Sequence, residues 1–129
     1  MRRALVLAMA TLTTGCIASD TATLSMPNDF RNSPIQWTAT YPGSYETLSN
    51  CIAAQYVGEL RVAPQIYPTV QRSSILLSSG SGADAEFQVK QLDATSSQVT
   101  WRRATGLFGS WLNDRTARQR ADKCGGVAG

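Results

Sequence analysis

Three cysteines, at positions 16, 51 and 124, have the most chemistry open to them in this 129-residue chain. A thiol can be acylated, joined in a disulfide, used as a nucleophile or turned to a metal, and the last two uses need neighbours of particular kinds. Those neighbours are missing. The chain has no histidine, which removes Ser-His and Cys-His nucleophile systems, the commonest general base and most transition-metal sites. It also has no C-x-x-C spacing. Glu46, Glu59, Asp84, Glu86 and Asp93 remain as carboxylates for acid-base work, yet none stands in a motif that fixes a partner at catalytic distance. Glu86 falls on the wet side of an alternating stretch, where a solvated charge is expected. Ser78-Ser79-Gly80-Ser81-Gly82 lacks the lysine and the following helix of a phosphate-binding loop and reads as a hairpin loop. No catalysis, cofactor or metal is expected.

Cys16 has a distinctive setting. Met1-Arg2-Arg3 is followed by an apolar run from Ala4 to Leu12 and then by Thr13-Thr14-Gly15-Cys16. A positive start, a short apolar stretch and small residues before a processing point describe an export signal over residues 1–15, and the apolar stretch is too short to span a bilayer as a retained helix. The Gly15-Cys16 junction resembles the lipobox of bacterial lipoproteins. That resemblance covers the leader alone. It implies that the Cys16 thiol is diacylated and becomes the mature N-terminus, inserting its acyl chains in a membrane. Ile17 in place of aspartate then implies outer-membrane sorting in a diderm host, with the protein facing the periplasm. The family prefers a branched apolar residue where this chain has Thr13, so ordinary cleavage after Ala18, giving a soluble periplasmic or secreted product, is the competing reading. Under either reading Cys51 and Cys124 remain as a pair, and export favours their oxidation to a disulfide.

Loss of the leader also changes the charge. The whole chain carries 12 basic and 9 acidic residues, net +3, and removing Arg2 and Arg3 leaves +1. Residues 101–124 hold a net of +4 and the mature chain before them −3, so the molecule is dipolar with a basic C-terminal end. Within that end, Trp101-Arg102-Arg103 is followed by Leu107-Phe108, Trp111, Arg115, Arg118 and Arg120. Basic residues among aromatics bind nucleic acid in other settings, but export argues against that partner. In an envelope the same chemistry suits anionic polymers, lipid head groups or an acidic protein. Arg102, Arg103, Arg115, Arg118 and Arg120 are therefore the candidate partner-binding residues, whereas Trp101 and Trp111 are expected in the core.

These residues must be positioned by one small domain. Residues 16–32 are rich in Ser, Thr, Ala and Asp without a sustained apolar period and read as a tether. Residues 33–124 form the domain, and 125–129 a disordered tail. Ile35, Trp37, Ala39 and Tyr41 alternate with polar residues, which predicts a half-buried strand stopped by Pro42-Gly43. Ser44 then caps a helix whose Tyr45, Leu48, Ile52 and Tyr56 share one face. Gln65–Leu77, interrupted by prolines, predicts one edge or irregular strand. Ala85, Phe87 and Val89 mark the clearest strand, and Asp93–Ser96 turns it back into another containing Val99 and Trp101. A last helix is expected from about Ser110, stopped by Gly125-Gly126. The sum is an α+β domain: an antiparallel sheet of about four strands with two helices on one face, stapled by Cys51–Cys124.

Two functions fit. The first is a non-catalytic envelope lipoprotein with a structural or accessory binding role, held to the membrane by its acyl chains and contacting an envelope protein or anionic envelope polymer. The second is a periplasmic or secreted binding module, for example a hydrolase inhibitor. The Ser-Gly loop before a Trp-containing hairpin faintly resembles lysozyme-inhibitor lipoproteins, which implies an all-β fold, and a helix over 44–57 would count against it.

Overall fold

Alternating apolar residues and one capped helix set the first third of the domain. The computed structural model describes residues 33–80, 82–104 and 113–127. The leader, Cys16, the tether, Leu107, Phe108 and Trp111 lie outside the described residues. Strand β1 (Trp37–Pro42) ends at Gly43, whose φ of 116° suits glycine. Helix α1 (Tyr45–Tyr56) follows at once, with the Ser44 hydroxyl accepting from the Thr47 amide at 3.1 Å. Its buried stripe is Tyr45, Leu48, Ser49, Ile52, Ala53 and Tyr56, the helical spacing the sequence predicts.

Four strands come next: β2 (Arg61–Tyr67), β3 (Arg72–Ser78), β4 (Ala85–Gln91) and β5 (Ser96–Arg103). The single strand expected over Gln65–Leu77 is therefore two, and among the described residues the sheet has five strands rather than about four. Pro68–Val70 forms a 3-10 turn between them, and Gln71 closes it in the left-handed region at φ 51°. That position ordinarily carries Gly or Asn, so the turn has no glycine to announce it. Pro64 sits in β2, an edge strand, where its missing N–H is tolerated as expected.

The order is β1-β5-β4-β3-β2, with every neighbouring pair antiparallel. β1 and β2 are thus opposite edges, and α1 crosses over one face to join them. Helix α2 (Asp114–Cys124) packs on the same face against β1, β5 and α1. The fold is α+β, with both helices on one side. The Asn113 side chain caps α2 by accepting from the Thr116 amide at 2.7 Å. A start near Ser110 lies outside the described residues. Gly125, Gly126 and Val127, expected in a disordered tail, are instead held by hydrogen bonds, with the Val127 amide donating to the Asp122 carbonyl at 2.9 Å. Gly125 lies against the Tyr41 ring, where an added Cβ would stand 2.7 Å from Cγ.

The core lies between the sheet and the helices. Phe87 is its centre, 4.6 Å from the Trp101 ring and 5.8 Å from that of Tyr56, centroid to centroid. Trp101 is fully buried, in line with the core role expected of it. Its indole N–H donates to Asp114 at 2.8 Å, so this polar edge is not left unmet. Glu86 departs from expectation: it is 2% exposed, not solvated. Strand alternation does send it away from the helices, but that side of the sheet is covered at this end, with Leu76 and Ala83 buried beside it. Alternation tells which face a residue takes, not whether the face is wet.

Candidate functional site

The cysteine pair forms from the two helices. Cys51 on α1 and Cys124 on α2 are disulfide-bonded with Cα atoms 5.7 Å apart, across 73 residues of sequence. Arg120 tightens the same seam. Its guanidinium donates to the Gln55 carbonyl and to both Glu59 carboxylate oxygens, and lies 4.4 Å from the centroid of the Tyr56 ring. The Gln55 amide answers by donating to the Arg120 carbonyl at 2.9 Å. Burial pushes the Tyr56 phenol up to about 12, although the Arg120 cation pulls the other way.

The remaining arginines do not gather into one patch. Arg103 makes a bidentate pair with Asp114, at 2.7 and 3.1 Å, which ties the end of β5 to the start of α2. Hydrogen bonds from Arg103, and then from the Trp101 indole, hold the Asp114 carboxyl below its ordinary range against the opposing effect of burial. Arg118 pairs with Asp122 one turn on at 3.1 Å and lies 5.3 Å from the centroid of the Trp37 ring. Asp122 also accepts from the Tyr41 hydroxyl at 2.6 Å, and this bond is the leading cause of its lowered pKa. Burial is the leading cause of the raised Tyr41 phenol pKa. Arg103, Arg118 and Arg120 are thus committed to the fold. Arg102 sits on the opposite face of the sheet, across the strand pair from Glu86, with a buried Nε that has no partner among the described residues. Arg115 on the outer side of α2 is exposed and has no ion-pair partner among the described residues.

The carboxylates are dispersed as well. Glu59 is paired with Arg120, Asp84 accepts from the Ser79 amide and hydroxyl at 2.8 Å, and Glu86 accepts from the Ser74 hydroxyl. Glu46 and Asp93 do share a cleft of about 470 Å³ between the start of α1 and the β4–β5 turn. Asp93 is committed there: one of its oxygens accepts from the amides of Thr95 and Ser96, and these bonds, led by the Thr95 amide, hold its pKa down. Gln91, on the cleft wall, is committed to Tyr45, Asp93 and Ser96. Among the described residues, no group of three or more potential metal ligands occurs.

One surface went unsingled in the sequence: the face of the sheet turned away from α1 and α2. The register lines up Thr38, Thr100, Gln88, Ser74 and Gln65 in one row across all five strands. The next row is Thr40, Gln98, Lys90, Arg72 and Tyr67. Lys90 and Arg72 are direct cross-strand partners, both exposed. Eighteen positions separate them in sequence, so only the strand pairing reveals the juxtaposition. Comparison with protein-family models, curated proteins and solved structures gives no match. Helix α1 departs from the all-β fold of the lysozyme-inhibitor resemblance.

Proposed function

We propose that this protein is an exported, non-catalytic accessory binding module of the cell envelope, anchored through acylated Cys16. The observation that carries the reading is the Cys51–Cys124 disulfide, which leaves Cys16 as the one remaining thiol of the chain, directly behind an apolar leader. A bond of this kind persists in oxidising compartments and not in a reducing cytosol. The non-catalytic part rests on the commitments just described: Arg103 ties β5 to α2, Arg120 ties α2 to the end of α1, Arg118 pairs within α2, and Asp93, which shares a cleft with Glu46, is taken up by its own turn. The partner under this reading is an anionic polymer or an acidic protein of the envelope.

The test is the intact mass of the mature protein from an envelope fraction, together with the fractionation of Cys16→Ala. A mass beginning at Cys16 plus acyl chains, and release of the variant into the soluble fraction, are expected. Equal membrane association of variant and parent, or an unmodified mass beginning near Ser19, overturns the anchor and favours the soluble binding module.

A further inference from the structure

We infer that the face of the sheet turned away from α1 and α2 is a docking surface for an anionic polysaccharide, held by Arg72 and Lys90. Side chains opposite each other on antiparallel strands have Cβ atoms about 5 Å apart, and like charges so placed oppose the pairing of their strands. Among the described residues no carboxylate relieves this pair. Among the described residues neither cation makes an ion pair, and the exposed carboxylates lie elsewhere: Glu46 in α1, Glu59 after it, and Asp93 in the β4–β5 turn. Glu86 and Asp84, at the other end of this face, are buried and bonded to Ser74 and to Ser79. An anion from outside the fold supplies what the pair lacks.

The rest of the surface points to a sugar chain as the carrier of that anion. Around the cations stand Thr40, Gln98, Thr38, Thr100 and Gln88, short hydroxyls and planar amides that both donate and accept and so match sugar hydroxyls. Tyr67, 44% exposed at the end of the cationic row, offers an aromatic ring for a pyranose face. An acidic protein would need a dry apolar anchor at the centre of the contact, and a lipid surface would need apolar side chains to insert. The only apolar surface in these two rows is the Tyr67 ring at one end, with no dry centre around it. Five strands about 4.8 Å apart make an open strip about 19 Å across, a span for an extended polymer and not for a small ligand.

The proposal rests on the binding-module reading but not on the anchor. Full-length protein in detergent is titrated at low salt against immobilised polygalacturonate, with neutral dextran and anionic phospholipid vesicles as comparison surfaces. The parent is expected to bind polygalacturonate and not dextran. The double variant Arg72→Gln/Lys90→Gln is expected to bind about thirtyfold more weakly, at about 1 kcal/mol for each cation. Lys90→Arg, which keeps the charge, is expected to retain binding, as is Arg115→Gln on the helical side. An unchanged or raised melting temperature of the double variant shows that folding is intact. Absence of parent binding, loss of binding in Arg115→Gln equal to that in the double variant, or preference for the vesicles each overturns the proposal. A protein that binds through Arg72 and Lys90 but lacks acyl chains overturns the anchor alone.

Discussion

Replacing both Cys51 and Cys124 by alanine, in a Cys16→Ala background that prevents mispairing, tests how far this thin core depends on its staple. The bond joins the two helices across 73 residues of sequence, a segment that runs from the middle of α1 through all of β2 to β5 and to the end of α2. On the loop-entropy relation, a closed segment of that length restricts the unfolded chain by an amount equivalent to about 4.4 kcal/mol at 25 °C. Small domains hold about 5–15 kcal/mol in total. For a domain of this size the loss corresponds to a fall in melting temperature of about 18–35 °C. Urea unfolding at 25 °C measures it directly, and the steepness of the transition should increase because an uncrosslinked chain exposes more surface when unfolded. The Arg120 contacts with Gln55, Glu59 and Tyr56 remain in the variant and keep the seam aligned, so the native fold is expected to survive at low temperature. A double variant within about 1 kcal/mol of its Cys16→Ala parent, with the same steepness, would refute this reasoning.

Three further outcomes follow from named contacts. Glu86 is buried with Oε1 unpartnered and Oε2 accepting from Ser74, so Ser74→Ala/Glu86→Met, which removes both polar partners, is expected to match or exceed the parent in urea midpoint; a loss above about 1 kcal/mol counts against it. Gly125→Ala drives a Cβ into the Tyr41 ring and is expected to cost about 1–3 kcal/mol by overpacking, read from thermal melts, with an unchanged melting temperature as the contrary result. Asp114 and Asp122 both have folded pKa values below the ordinary 3.8. Their stabilisation is therefore fully present above that value and is lost as pH falls through the folded values. The urea midpoint should drop below about pH 4, more gently in Asp114→Asn/Asp122→Asn, and equal slopes in variant and parent would show that the Arg103, Trp101 and Tyr41 bonds are not responsible.

Local periodicity and local chemistry determined much of this protein in advance. The alternation of Trp37, Ala39 and Tyr41, though not Ile35, which lies before β1 and is exposed, the Ser44 cap with Leu48, Ile52 and Tyr56 behind it, and the alternation around Phe87 each arise within one element, because side-chain direction repeats with the backbone. Cysteine arithmetic gave the Cys51–Cys124 pair, and the absence of histidine narrowed the chemistry. Tertiary structure alone decided the rest. The β2–β3 hairpin turns on Gln71, a residue type that does not advertise a left-handed turn. Alternation placed Glu86 on the right face, yet its burial depends on what covers that end of the sheet, a long-range matter. The C-terminal arginines looked like one basic surface along the chain. In three dimensions the sheet separates Arg102 from the others, while Asp114, Asp122 and Glu59 take up Arg103, Arg118 and Arg120. Conversely, Arg72 and Lys90 look like isolated charges in the chain and become neighbours only when β3 pairs with β4. Charge along a sequence adds up by counting, but charge on a surface depends on register, and register is fixed by contacts between residues far apart in the chain.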